Sequence, residues 1–449
     1  MFPRNILSKM QLWMQSSSRK PLILRGARQV GKTVAVGLFS DSFDNFISIN
    51  LDEAGKAEIF RKNMPVEDIF QAICLENGVR ASQGKTLLFL DEIQSCPQAV
   101  EALRFFYEKL PDVYVIAAGS LLEIALHEKH ISFPVGRVDH LFMYPLSFRE
   151  YLHAVGDEDT LTVFDTFPAP AYAHDTLLQQ FHRYTLIGGM PEVVAGYIET
   201  KDVTALSGIY NSLLTSFEDD IGKYARNPAA ATVLRHCLEA APFQAGQRIK
   251  FAGFGQSNYR SREVGESLRT LQRAMLIYLL YPSSSVEGPI VPNLKKSPRL
   301  HFLDTGLLNY YVGLQDQVFQ HNDLHAFYRG LLAEHIVGQE LICLDPNTRK
   351  KHCFWTREKS QSGAEIDFLL PHGNEVIPIE VKAGKVGTLR SLCQFIDSSA
   401  CRHAVRLYAG NLDLQHAKTS AGTPFKLLNL PYFLTSHIHK YIDWMMSQS

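Results

Sequence analysis

Between Pro21 and about Pro145, short apolar runs recur along the chain: PLILRG, FISINLD, TLLFLDE and VYVIAAGS, separated by stretches with helical spacing of apolar residues. Runs that are apolar at every position belong to strands buried on both faces, and their alternation with helices predicts a parallel sheet covered on both sides. From Ser147 to about Lys223 the pattern turns mostly helical, interrupted by FPAPAYAHD at Phe167 to Asp175, a Pro/Ala-rich surface loop. Helical pattern resumes in ATVLRHCLEAA. After Gly-rich turns, SNYRSREVGESLRTLQRAMLIYLLYP gives a basic helix closing in an apolar strand, which predicts a helix-turn-helix with a wing. Beyond a Ser/Pro/Lys-rich stretch ending near Pro298 a last α/β region begins. Within it AEIDFLLPHGNEVIPIEVK reads as a hairpin, with one strand to about Leu370, a turn at Pro371 to Asn374 and a second strand through Lys382. Period-two alternation there would turn Ile379 and Val381 toward a core and place Glu380 and Lys382 together on the opposite face.

Composition narrows the class. At 449 residues and 46% hydrophobic, the chain has room for about two to four packed domains. A formal net charge of -1 excludes a globally basic polyanion binder, so any nucleic-acid contact must come from a local patch. Seven cysteines without a C-x-x-C pair fit reduced thiols better than a disulfide framework. The first residues hold no apolar stretch of signal-peptide length, and AMLIYLLY (Ala274 to Tyr281) is too short to span a bilayer, so the expectation is a cytoplasmic protein with no membrane partner.

The strongest chemical signal is GARQVGKT, which matches G-x-x-x-x-G-K-[ST] between the strand Leu22 to Leu24 and a helix. Glycines let backbone approach phosphate, and a helix start offers N–H groups to an anion. Gly26, Gln29, Val30, Gly31, Lys32 and Thr33 are therefore candidate ATP contacts, with Lys32 on the β- and γ-phosphates and the Thr33 hydroxyl on Mg²⁺. LLFLDE supplies the second half: a buried strand ending in Asp91 for the metal, followed by Glu92 to polarise water. VYVIAAGS ends in Ser120, either a γ-phosphate sensor or a helix N-cap. Arg137 is either a transition-state cation, from the same or a neighbouring subunit of a homo-oligomer, or an exposed structural arginine.

Taken in order, GARQVGKT, LLFLDEIQ, AAGSLL, PVGRVDHLFMYPLSFREYL, GGMPEVV, PRLHFLDTGL and EIDFLL with IEVK resemble a bacterial and archaeal family of AAA-type P-loop ATPases with a carboxy-terminal domain of unknown function. The resemblance covers nearly the whole chain. It implies an α/β fold: an additional-strand ATPase core over residues 1–146 with a catalytic glutamate, a winged helix over 225–298, and a terminal domain over 299–449 similar to the PD-(D/E)XK nucleases; the helical stretch 147–224 between them reads as a lid or connector. On that pattern Asp367 and Glu380 would hold metal with Glu334 from the preceding helix, and Lys382 would act on water. The alternative is a retained fold with a dead site and an exposed Glu/Lys pair on a strand edge.

Arg248, Lys250, Arg260, Arg262, Arg269, Arg273, Lys295, Lys296 and Arg299 outnumber Glu263, Glu266 and Glu287 around them. Arg260, Arg262, Arg269 and Arg273 make a candidate DNA contact, with a solvated helix face as the plain alternative. The preferred expectation is an ATPase that binds DNA and couples nucleotide state to a nuclease-like domain; the rival is a nucleotide-dependent switch or scaffold. The histidine pairs of HEKH and HIHK lack further ligands in sequence and read as surface residues.

Overall fold

A computed structural model describes residues 2–62, 64–80, 84–120, 122, 134–315, 331–344, 352–357, 363–382 and 389–448. Five strands, β1 (Leu22–Gly26), β2 (Asn45–Asn50), β3 (Thr86–Asp91), β4 (Tyr114–Ala118) and β5 (Asp139–Met143), form an all-parallel sheet in the order β2-β3-β4-β1-β5. The inserted strand β4 separates β1 from β3, as the additional-strand expectation requires. Successive residues feed different cores. Leu22, Leu24, Leu87, Phe89, Ile116 and Ala118 face one, whereas Ile23, Ile47, Ile49, Leu88, Leu90, Val115 and Ala117 face the other. Apolar runs without alternation follow directly from that double burial.

Eight further strands form a mixed sheet: β6 (Ile277–Ser283), β7 (Arg299–Phe302), β8 (Cys353–Thr356), β9 (Glu365–His372), β10 (Glu375–Lys382), β11 (His403–Tyr408), β12 (Asp413–Lys418) and β13 (Pro424–Pro431), in the order β12-β13-β11-β10-β9-β8-β6-β7. The helices Pro228–Ala240 and Ser261–Arg273 pack together and lead into the antiparallel pair β6–β7. That pair does not end a separate unit. Tyr281, Pro282 and Ser283 of β6 run parallel to Cys353, Phe354 and Trp355 of β8, so the boundary expected at 298/299 falls inside one sheet. The hairpin β9–β10 forms around Gly373 and Asn374, with Ile379 opposite Phe368. The expected faces form, with Lys382 bonded to Glu380 on one of them. Ile379 and Val381 are buried, but Glu380 is only 7% exposed because β10 lies between β9 and β11 and the helix Leu331–Cys343 packs on it. An exposed pair on a strand edge is therefore excluded.

One apolar core runs from the parallel sheet through Tyr184, Phe217, Leu234 and Leu268 to Ile379, Val405 and Leu428 of the second sheet. Polar groups cross it in a bonded seam. The Tyr184 hydroxyl lies 2.8 Å from both the Leu146 carbonyl and Glu340 Oε1, and accepts from Gln339 Nε2 at 3.1 Å. Glu340 Oε1 also accepts from the Phe148 N–H at 3.0 Å. Asp304, fully buried, accepts from the N–H groups of Gly306, Leu307 and Gly189. Glycine is required where these loops meet: a Cβ at Gly189 would stand 2.2 Å from the Leu146 carbonyl oxygen, and one at Gly306 1.8 Å from that of Ile187. All seven cysteines are free thiols. Among the described residues no helix is long and apolar enough to cross a membrane.

Burial raises the Glu340 carboxyl to about 7, outweighing the Tyr184 and Phe148 donors that oppose it. An unperturbed glutamate titrates near ~4.3, so the folded protein binds this proton more readily than the unfolded chain in between. The associated stability is fully present below about pH 4 and is lost as pH rises through about 7. Glu340→Gln should flatten the fall of thermal midpoint between pH 5 and pH 8 by an amount corresponding to at most roughly 3 kcal/mol. Parallel melting profiles for the two proteins would place the titration elsewhere.

Candidate functional site

The loop after β1 turns back on itself through left-handed Gln29 (φ 63°) and Gly31 (φ 93°), and the helix Lys32–Phe39 starts at its end. No side chain caps that helix start, which leaves its first N–H groups directed at an anion's position. Gly26 cannot be replaced here, since a Cβ would lie 2.5 Å from the Met143 carbonyl oxygen. Lys32 folds over the loop and donates to the carbonyls of Gly26 (3.1 Å) and Ala27 (2.9 Å). Burial lowers its ammonium to about 8, against the pull of Glu92 and Asp91. The Thr33 hydroxyl donates to Asp91 Oδ2 at 2.6 Å, which joins the two predicted halves of the site. Thr33 and Asp91 are hard oxygen donors at the mouth of a phosphate loop, a set that fits Mg²⁺ completed by phosphate and water.

Glu92 follows in a left-handed conformation (φ 49°, ψ 44°), uncommon for a residue with a side chain and a mark of a functionally constrained position. Gln94 Nε2 donates to Glu92 Oε2 and so fixes where the carboxylate points. Gln94 in turn lies over Gly119, where a Cβ would meet its Oε1 at 2.0 Å. Ser120, half-buried, stands just past β4 at the same edge as Gly26 and Asp91, the place required of a phosphate sensor. The helix it would cap lies mostly outside the described residues, as does HEKH.

Three cations were invisible as site residues in the sequence. Arg4 is buried and donates to the carbonyls of Val30 (2.9 Å) and Tyr144 (2.7 Å) and to Glu150 Oε1 (3.0 Å). Glu150 closes a capping box with Ser147, a signal present in LSFREYL as S-x-x-E. Arg28, in the phosphate loop itself, pairs at 2.5 Å with Asp220, which is buried at the end of the helix Ser207–Asp219. That bond raises the Arg28 guanidinium above the ordinary arginine range. Arg299, the third, lies in the second sheet. Gly31 is packed from the far side by Pro191, the first residue of the helix Pro191–Thr200.

Arg137 is exposed and bonded to Glu108 Oε1 at 3.1 Å. Asp139 pairs with Leu22 and Met143 with Gly26, so Arg137 lies at the amino-terminal edge of the sheet, opposite the phosphate loop. At ~3.3 Å per residue the offset along the strands is about 20 Å. An action within its own subunit is thereby excluded.

In the second sheet Glu334, Asp367, Glu380 and Lys382 do come together, but with company. Arg299 of β7 bonds Glu334, Asp367 Oδ1 (3.1 Å) and Glu365 Oε2 (2.9 Å). Arg248 takes Glu365 Oε1 at 2.5 Å, and Lys382 Nζ takes Glu380 Oε1 at 2.5 Å. Asp367 Oδ2 accepts from the Val381 N–H at 2.8 Å. Burial would lower Arg299, yet Glu334, Asp367 and Glu365 together raise it above the ordinary arginine range. Burial and Asp367 push Glu380 up to about 7, opposed by Lys382. Among the described residues no group of His, Cys, Asp or Glu is arranged to hold a metal ion, and this donor set does not fit one.

Arg260, Arg262 and Arg269 are exposed on or beside the helix Ser261–Arg273, and Arg273 is half-buried at its end. The surface is less basic than composition suggested. Arg248 and Arg299 are spent on the carboxylate cluster, while Glu263 caps the helix at Arg260 and Glu266 pairs with Arg226. In HIHK, His439 is exposed, as expected of a surface residue, and lies on the helix Ile438–Ser447, with its Nδ1 3.0 Å from His372 Nδ1, whose other nitrogen meets Asp443 at 2.7 Å.

A glycine loop opening a helix, its threonine bonded to the β3 carboxylate, and a strand inserted between the two define an AAA-type P-loop ATPase domain. Residues 18–152 match the AAA domain family, and residues 178–318 and 329–428 match two families described as domains of unknown function, DUF8612 and DUF4143. An uncharacterized protein of Haemophilus influenzae is 22% identical over 373 residues, spanning 80% of this chain and 81% of its own. The Walker-type ATPase of Pyrococcus abyssi is similar in structure over 70% of this chain and 96% of its own, at 14% identity and a TM-score of 0.45. The Aeropyrum pernix Orc1 protein in complex with DNA aligns over 71% of this chain and 92% of its own, at 13% identity and a TM-score of 0.27.

Arg4→Ala leaves Glu150 buried without its cation and the Val30 carbonyl without its donor. Breaking a buried pair costs about 3–5 kcal/mol. The variant should unfold at lower temperature and bind ATP more weakly, as read by melting with and without nucleotide; an unchanged ATP-induced shift would detach Arg4 from the loop.

Proposed function

We propose that the chain is a Mg²⁺-dependent ATPase whose nucleotide state is passed to a DNA-binding helix pair and a nuclease-like terminal domain. Lys32, released from its own loop carbonyls, neutralises the β- and γ-phosphates. Thr33 and Asp91 hold Mg²⁺, which offsets phosphate charge; Glu92, aimed by Gln94, polarises water; and Ser120 reports the γ-phosphate. Arg137 would complete the site of a neighbouring subunit in a homo-oligomer. The observation that carries the coupling is the Arg28–Asp220 bond, because it ties the phosphate loop to the helical segment that precedes the helix pair. Phosphate drawn into the loop competes for Arg28 and thereby acts on Asp220.

DNA binding rests on the exposed Arg260, Arg262 and Arg269 with Arg273, in a helix-turn-helix of winged type formed by the two helices and β6–β7. A specific observation favours the rival reading of the terminal domain as a non-cleaving recognition fold: Arg299 lies among its carboxylates.

Lys32→Ala should abolish ATP binding, whereas Glu92→Gln should bind ATP and lose turnover by about 10²-fold or more, since only the second spares the phosphate cradle. Equal turnover by Glu92→Gln and wild type in a phosphate-release assay would sink the assignment. DNA affinity should fall steeply with salt, and the triple change Arg262→Ala, Arg269→Ala and Arg273→Ala should flatten the log–log slope by about 0.9 for each phosphate that is no longer neutralised. A slope that stays the same would move DNA binding off this helix.

A further inference from the structure

Arg299 has the surroundings of a bound ion rather than of a surface arginine. It projects from β7 and is only 7% exposed. Its guanidinium meets Glu334 from the helix Leu331–Cys343 and both Glu365 and Asp367 from β9, so a single planar fork serves three carboxylates from two elements. Phe354 of β8 lies beneath it, with the guanidinium carbon 4.6 Å from the ring centroid, and Arg248 approaches the same ring at 5.4 Å. The backbone supports the arrangement, because Arg248 and Arg299 are joined by a β-bridge.

Charge and lone pairs leave little for a divalent ion. Glu334, Glu365, Asp367 and Glu380 contribute four formal negative charges, while Arg248, Arg299 and Lys382 contribute three positive ones. Asp367 has one oxygen on Arg299 and the other on the Val381 N–H. Glu380 Oε2 is buried without a partner and Glu334 bonds through Oε1 alone, but two oxygens from two carboxylates beside the Arg299 guanidinium fall short of the roughly six oxygens that Mg²⁺ or Mn²⁺ requires. We propose that Arg299 is the resident cation of this cluster in place of a divalent metal, and that its work is to clamp the β6–β7 pair, and with it the helix Ser261–Arg273, onto the terminal sheet. The short β6–β8 pairing gives the clamp its purpose: among the described residues three pairs, one of them with Pro282, join the two strands. This inference is independent of ATP hydrolysis and of DNA binding.

The test is a Mn²⁺ titration of the nucleotide-free full chain, with free ion followed by its electron paramagnetic resonance signal. Wild type and Asp367→Asn should take up the same amount, since the cluster contributes no site. Arg299→Met, which keeps bulk and removes the guanidinium, should gain a site at least about tenfold tighter than any on wild type, and adding Asp367→Asn should abolish the gain. The same variant should melt roughly 10 °C lower and recover part of that loss with Mn²⁺. One Mn²⁺ bound per wild-type chain and lost in Asp367→Asn would overturn the proposal, as would an Arg299→Met protein with wild-type melting and no new site. Should Arg299→Met fail to fold, the comparison of wild type with Asp367→Asn still decides.

Discussion

The packing of this chain depends on polar groups buried where its layers meet and on the bonds that hold them there. Tyr184 is the centre of that arrangement, touching the Leu146 carbonyl, Glu340 and Gln339. A buried hydroxyl without a partner costs about 1–3 kcal/mol and a charged carboxylate more, so separating the end of the ATPase sheet, the helix His174–Ile187 and the helix Leu331–Cys343 breaks these bonds at that cost. Asp304 does the same for GGMP and LDTG. Its carboxylate caps the helix Thr305–Tyr311 and at the same time accepts from Gly189. Two short motifs far apart in sequence are thus the two halves of one contact.

The phosphate loop inherits its shape from this frame. Its ends are fixed by β1 and the following helix, but its middle is held by three outside residues: Arg4 on the Val30 carbonyl, Pro191 against Gly31, and Asp220 on Arg28. Pro191 directly follows the GGM segment that Asp304 holds, so a shift of the loop against Pro191 is a shift against Asp304. Nucleotide chemistry and domain packing therefore share atoms, and a device that couples them needs no added element.

What was legible in the sequence had local causes. GARQVGKT and LLFLDE were readable because a phosphate loop and a doubly buried strand each impose residue types at adjacent positions, and the β9–β10 hairpin because Gly373 supplies the positive φ (56°) of its turn. The Thr33–Asp91 bond followed from those. Arg4, Arg28 and Arg299 were not readable as site residues, since an arginine that bonds a carbonyl or carboxylate 26 to 192 positions away leaves no trace in its neighbours. The same blindness produced the main overestimate. Counting Arg248 and Arg299 toward a basic surface ignored that carboxylates distant in sequence had already claimed them. Burial on both faces also removes the alternative of an exposed edge pair for Glu380, because the residues of one strand do not say whether it lies inside a sheet or at its edge.

Arg137 shows how topology alone can settle a question that composition leaves open. In a parallel sheet every strand delivers its carboxyl end to one edge, so Asp91, Ser120 and the phosphate loop meet there while a residue that precedes β5 must lie at the other. No rotamer of Arg137 bridges that distance, and its bond to Glu108 holds it beside the helix Pro97–Lys109 instead. The phosphate loop carries Lys32 and Arg28 itself and is touched from outside by Arg4. Arg4 is already committed to Glu150 and the loop carbonyl of Val30, so a second charge needed when the γ-phosphoryl group transfers would come either from Arg28 leaving Asp220 or from an arginine presented by another subunit. These two sources differ in kind: the first makes hydrolysis depend on the chain's own helical segment, the second on assembly.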